Sequence, residues 1–163
     1  MDFIGFPSIG RLSRDIVITE KLDGTNASIT ITEDGQFLTA SRTRWITPQD
    51  DNYGFSKWAH AHKDELMQLG VGTHFGEWWG QGIQCNYGMA LKVFSLFNVG
   101  RWNNENKPSC CQVVPILFAG KFDTAKINGI MSMLGINGSV AAPGFMNPEG
   151  VVIYHKQANV LFK

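Results

Sequence analysis

The stretch ITEKLDGTNASIT, residues 18–30, decides how this chain is read. Toward its two ends apolar and polar residues alternate: Ile16 just before it and Ile18 at its start, Ile29 near its end and Ile31 just after it. A period of two is the signature of a half-buried β-strand. Its middle breaks the pattern with Lys21, Asp23, Gly24, Thr25 and Asn26, a charged and turn-prone cluster. Two readings fit this cluster: an exposed β-turn between paired strands, or a strand end that presents a lysine amine as a nucleophile.

Working outward, strands are predicted over residues 16–19 and 27–32, and TEDGQ (residues 32–36) carries the Asp-Gly hairpin signal that returns the chain through residues 37–41. Residues 55–70 place Trp58, Ala59, Leu66 and Leu69 at helical spacing, with Gly70 as the stop. Further strands are predicted over residues 73–78, 91–99 and 113–118. Asp123 is placed to cap a helix over residues 124–134. Strands over residues 151–155 and 160–162 close the chain, and residues 98–109 form a polar surface loop. No repeat or low-complexity tract is present. The sum is an α+β fold, antiparallel β-sheets with flanking helices.

Bulk properties narrow the function. The chain has 163 residues, which suits a single domain over residues 1–163. Formal net charge is zero, which argues against coating nucleic acid by charge alone but allows a local basic groove. Cys85, Cys110 and Cys111 are an odd number without metal-ligand spacing, so they read as reduced thiols of a cytoplasmic protein. The N-terminus lacks a signal-peptide pattern, and no apolar stretch is long enough for a membrane span.

The lysine reading has a definite chemistry. A lysine amine can attack the α-phosphorus of a nucleoside triphosphate and form a covalent lysyl–NMP. The amine must be neutral, and free lysine has a pKa of about 10.4. Burial or nearby positive charge, a bound metal ion included, depresses it. Gly24 would let the backbone pass close to the nucleotide. KxDG alone is a short pattern, so the rest of the chain matters. SRTRW (residues 41–45) sets Arg42 after a strand, where a guanidinium could clamp phosphate. FGEWWG (75–80) sets Glu77 between a glycine and two tryptophans. KVFSLFNV (92–99) holds Phe94 and Phe97, three apart and therefore on opposite faces of a strand. EGVVIYH (149–155) sets Glu149 before an apolar strand, and LFK (161–163) ends on Lys163.

In this order these segments resemble the motifs of the covalent nucleotidyltransferase superfamily, polynucleotide ligases and RNA capping enzymes. The resemblance is nearest to ATP-dependent RNA ligases and covers nearly the whole chain: KLDGTN is similar to motif I, SRTRW to motif Ia, FGEWWG to motif III, KVFSLFNV to motif IIIa, EGVVIYH to motif IV and LFK to motif V. It implies the nucleotidyltransferase (ATP-grasp-like) adenylation domain of a ligase; family members usually carry an additional domain that grips the nucleic acid, and here no separate C-terminal nucleic-acid-binding domain is expected. It implies Lys21 as the nucleophile that takes AMP from ATP, and nucleotide contacts from Glu20 (through its backbone), Asp23, Gly24, Asn26, Arg42, Glu77, Phe97 (or Phe94) stacked on adenine, Glu149 and Lys163. It also implies Mg²⁺ or Mn²⁺ held through water by Asp23, Glu77 and Glu149. RNA ends, a 5′-phosphate and a 3′-OH, are the implied partners of a monomeric enzyme, with DNA the alternative substrate. By analogy alone, the compact form suits a phage-like RNA repair enzyme. The chain departs from the family at Asn98, where an aspartate is usual, and carries one motif V lysine, Lys163, where two are usual. The competing expectations are a GTP-dependent capping enzyme, a DNA ligase core, and a non-catalytic nucleotide- or RNA-binding module.

Overall fold

A computed structural model describes residues 2–163. It is an α+β fold built on two sheets, one with strand order β10-β9-β1-β8 and one with order β4-β3-β2-β5-β6-β7. The first sheet holds β1 (Asp15–Lys21), β8 (Ile116–Lys121), β9 (Gly150–His155) and β10 (Val160–Phe162). The second holds β2 (Thr25–Ile31), β3 (Phe37–Ser41), β4 (Trp45–Ile46), β5 (Gly72–Gly80), β6 (Lys92–Leu96) and β7 (Gln112–Val113). Pairings are antiparallel except β6 with β7, which is parallel.

Of the two readings of the opening stretch, the exposed turn between paired strands does not occur. The strands on either side of KLDG are not a pair joined by a β-turn: β1 lies in the first sheet and β2 in the second. Residues 22–24 are the crossover between sheets, and β1 runs on to include Lys21 as its last residue. The strand predicted over residues 113–118 is likewise two strands, β7 and β8, in different sheets. Pro115 falls between them; it has no N–H for a ladder, and its carbonyl instead accepts the Glu20 N–H at 3.0 Å.

The hairpin at residues 32–36 forms, but as a three-residue loop in place of the two-residue Asp-Gly turn: the Gly35 N–H bonds the Thr32 carbonyl at 3.0 Å, and Gly35, not Asp34, takes the left-handed conformation at φ 82°. The helix predicted over residues 55–70 is broken. It consists of α1 (Phe55–Ala61), α2 (Lys63–Leu66) and a 3₁₀ turn, Met67–Leu69, with a kink at His62. Gly70 ends it at φ 77°. Helix α3 (Thr124–Asn137) is capped by Asp123, whose carboxylate accepts the Ala125 N–H at 2.8 Å.

Each sheet buries one face. Ile16 and Ile18 of β1 pack with Ile130 and Leu134 of α3 and Val151 of β9. Ala27, Ile29 and Ile31 of β2 pack with Trp78, Phe94, Leu96 and the α1 residues Phe55 and Ala59. A third cluster sits where the sheets join: Leu22 from the crossover, Trp79, Tyr87, Val114 and Ala142. Burying a large apolar side chain such as Leu22 contributes about 1.5–3 kcal/mol, so the crossover is held down next to Lys21. The three cysteines are free. Among the described residues no helix is long and apolar enough to cross a membrane.

Candidate active site

Alternation along β1 sends Lys21 to the face opposite Ile16 and Ile18. Its Nζ donates to Glu149, the residue just before β9, in an ion pair spanning 128 positions of sequence. The pairing of Lys21 with Gly150 in the β1–β9 ladder brings the two side chains together. Continuing the β9–β10 register by one residue sets Lys163 opposite Val152, on the same face as Lys21.

The second sheet supplies the facing row. Asn26 of β2 pairs with Glu77 of β5, and Glu77 with Ser95 of β6. Ala27 pairs with Ser41, so one further step sets Arg42 opposite Asn26. Arg42 is exposed, whereas Arg44 is tied to Asp50 at 2.5 Å. The Glu77 carboxylate accepts the Gly24 N–H at 3.1 Å and an Asn26 Nδ2–H at 2.9 Å. Packing alone requires a glycine at position 24: a β-carbon there would lie 2.5 Å from the Trp78 carbonyl oxygen and 2.6 Å from Trp79 Cβ. The absent side chain lets the crossover lie against β5.

Burial pushes the Glu77 carboxyl up from 4.5 to about 7. The hydrogen bonds from Asn26 and Gly24 and the charge of Lys21 oppose the rise, and Glu149 adds to it. In the folded protein Glu77 keeps its proton up to about pH 7, whereas an unperturbed carboxyl gives it up near 4.5. The unfolded chain then binds fewer protons than the folded one in this window, so Glu77 lowers stability as pH rises through it. Without nucleotide or metal, Glu77→Gln should therefore be more stable than wild type above pH 7, and melt higher, by about 3 kcal/mol at most. The advantage should fade below the ordinary carboxylate pKa. A difference in melting temperature that is constant from pH 4 to 8 would show that burial of this carboxyl is not its cause.

Phe94 is fully buried in the core, while Phe97, three residues on, is 39% exposed and continues the face of Ser95. Its N–H donates to the Phe75 carbonyl at 3.0 Å, which sets it beside Phe75, itself 61% exposed and on the face of Glu77. Phe75 was not picked out from the sequence; only its pairing with Phe97 makes it a second exposed ring near the row. Tyr87 was also missed. Its Oη accepts the Asp23 N–H at 2.7 Å, and burial pushes its hydroxyl well above the usual tyrosine range. Glu20 is buried, and its carboxylate, besides its backbone, is engaged: it accepts from Ser139 and from the N–H groups of Val140 and Ala141.

Asp23, Glu77 and Glu149 do not form a direct metal triad, since among the described residues no three His, Cys, Asp or Glu side chains converge on one point. All four histidines spend a ring nitrogen on a backbone carbonyl: His60 on Ser56, His62 on Trp58, His74 on Gly70 and His155 on Leu12. An apolar cavity of about 300 Å³ under β10, lined by Leu12, Ile16, Phe122, Ile127, Ile153 and Phe162 with His155, lies on the α3 side of the first sheet, away from Lys21.

No curated protein matches the sequence. Among solved structures, Naegleria gruberi RNA ligase with PPi superposes at a TM-score of 0.68 with 20% identity, covering 93% of this chain and 49% of that one. Naegleria gruberi RNA ligase mutants with AMP and Mn and with ATP and Mn give TM-scores of 0.70 and 0.64, each at 19% identity and the same coverages. The likeness is one of fold, and the chain spans about half the length of these structures. The profile of the RNA ligase family matches residues 14–163. The chain belongs to the RNA ligase family.

Proposed function

We propose that this chain is the adenylation domain of an ATP-dependent RNA ligase, a single nucleotidyltransferase domain acting as a monomer. The observation that carries the reading is Lys21 at the end of β1, ion-paired to Glu149, with Glu77 tied by hydrogen bond to Gly24 of the crossover that follows it. Support for the nucleotide comes from the related Naegleria gruberi structures, described with AMP, ATP, PPi and Mn.

In the proposed reaction the Lys21 Nζ lone pair attacks the α-phosphorus of ATP. An N–P bond forms, the bond from the α-phosphorus to the pyrophosphate oxygen breaks, and the amine loses a proton. Glu149, which accepts the hydrogen bond from Nζ, is the group placed to take that proton. Arg42 and Lys163 compensate phosphate charge, as phosphoryl and nucleotidyl transfer requires. Phe97 stacks on the base, with the Glu20 backbone beside it, and Asn26 orients Glu77 toward the ribose and phosphates. The oxygen-only donor set of Asp23, Glu77 and Glu149 suits Mg²⁺ or Mn²⁺ that keeps several of its waters. When bound, such an ion would supply charge compensation at the phosphates. AMP then passes to an RNA 5′-phosphate, forming a 5′–5′ linkage, and a 3′-OH displaces AMP to join the ends. DNA ends are the alternative acceptor.

The test is intact mass after incubation with Mg²⁺ and either ATP or GTP. An AMP adduct from ATP, acid-labile as a phosphoramidate is, with none from GTP, is the expected result. A GMP adduct would make the chain a capping-type enzyme. Absence of any adduct in folded protein would leave a module that binds without reacting.

A further inference from the structure

We propose that the carboxylate of Glu20 is a positioning group for Lys21, working through the loop of residues 138–145 that follows α3. The inference rests on the adenylylation reading for its role, but its structural basis is independent of it.

Alternation puts Lys21 on one side of β1 and its neighbours Glu20 and Leu22 on the other. A distinct set of contacts grips the segment from that other side. Glu20 is 1% exposed and faces no cation: the ion pairs among the described residues are Lys21 with Glu149 and Arg44 with Asp50. Its Oε1 accepts the Ser139 hydroxyl at 2.5 Å, and its Oε2 accepts the N–H groups of Val140 and Ala141, each at 2.9 Å. The loop is also tied to itself. Ser139 Oγ accepts the Ala142 N–H at 2.9 Å, and the Ser139 N–H donates to the Phe145 carbonyl at 2.8 Å.

The same loop reaches the far side of Lys21. Leu22 packs in one cluster with Ala142, Tyr87 and Phe145. The Phe145 and Tyr87 rings lie 4.6 Å apart, and the Tyr87 hydroxyl accepts the Asp23 N–H. Residues 20, 22 and 23 are thus all held by one loop or by a ring packed on it, while the Lys21 side chain projects from the opposite face to its ion pair with Glu149. A buried carboxylate satisfied only by hydrogen bonds is a poor way to gain stability, because its desolvation is costly. It is a good way to fix geometry, because three directional contacts define where the backbone sits. Attack on phosphorus is sensitive to that, since a misplacement of about 1 Å can cost on the order of 100-fold in rate.

Glutamine separates shape from charge. In one amide orientation its Oε1 accepts from Val140 and Ala141 while its Nε2 donates to Ser139 Oγ, so residue 20 keeps a bond to all three partners; the charge is lost and the Ser139 hydroxyl proton must turn to another acceptor. The experiment compares Glu20→Ala, Glu20→Gln, Ser139→Ala and wild type. Single-turnover AMP-adduct formation is measured at saturating Mg²⁺-ATP, and hydrogen exchange is followed in the peptides covering residues 20–24 and 138–145. We expect Glu20→Ala to slow the adduct step by about 100-fold, Ser139→Ala to slow it less, and Glu20→Gln to rescue it to within about tenfold of wild type. Exchange should quicken in both peptides together in the alanine variants and not in the glutamine variant. Glu20→Gln as slow as Glu20→Ala would overturn the proposal, because the charge itself would then be needed. Folded Glu20→Ala reacting at the wild-type rate would overturn it too, as would unchanged exchange. If Glu20→Ala does not fold, Ser139→Ala against wild type decides. If wild type forms no adduct, the functional reading fails and the exchange data alone decide the clamp.

Discussion

Lys21→Ala and Lys21→Arg should both abolish the AMP adduct while leaving the protein folded. The amine is the atom that would form the bond to phosphorus, and alanine offers nothing in its place. Arginine keeps a cation opposite Glu149, but its guanidinium stays protonated at all useful pH and has no lone pair to give. Removing a nucleophile outright costs at least about 10⁴-fold in known enzymes, which takes the adduct below detection by intact mass. Stability should change little. The Lys21 and Glu149 side chains are 27% and 37% exposed, so their ion pair is screened by water, and such pairs are worth about 0–1 kcal/mol. An unchanged melting curve with no adduct is the expected pair of results. An adduct that persists in Lys21→Ala would move the nucleophile elsewhere and end the present reading of the site.

Gly24→Ala should be the most damaging small substitution near the site. Its β-carbon would meet the Trp78 carbonyl oxygen at 2.5 Å, Trp79 Cβ at 2.6 Å and Glu77 Cγ at 3.1 Å. Two of these belong to the backbone or first side-chain carbon of a central strand, so neither can swing aside. Overpacking of this kind costs about 1–3 kcal/mol, which lowers the melting temperature by several degrees in a chain of this size. Activity should fall further than stability, because the crossover must back away from β5. That breaks the Gly24 N–H bond to Glu77 and shifts Lys21 next door. Gly129→Ala is the control: nothing lies within 4 Å of a β-carbon there, and it sits in α3, where alanine is the better helix former. Its melting temperature should hold or rise. Equal melting temperatures for the two variants would show that the crossover can relax without cost.

Much of the fold was legible because it is local. Alternating Ile16, Ile18 and Ile29, Ile31 mark strands whatever surrounds them. Asp34 and Gly35 specify a tight turn, and Asp123 caps a helix through its own side chain. What failed was also local pattern, misapplied. Residues 113–118 look like one strand, and only Pro115 hints that the ladder must break. The apolar spacing over residues 55–70 fits one helix, but the chain kinks at His62, where α1 ends and α2 begins.

By itself the sequence determined the chemistry on offer and its order: a lysine before Asp23 and Gly24, then Arg42, Glu77, the Phe94 and Phe97 strand, Glu149 and Lys163. Residue types, spacing and alternation are properties of neighbours, and neighbours are what a sequence shows. The tertiary structure alone decided which of these meet. It put Lys21 against Glu149 across 128 positions, and Glu20 against Ser139 across 119. It set Gly24 against β5 and made the KLDG segment a crossover between sheets. Those outcomes depend on strand register and on the packing of two sheets at their junction, and each is settled by many distant contacts at once rather than by any run of adjacent residues.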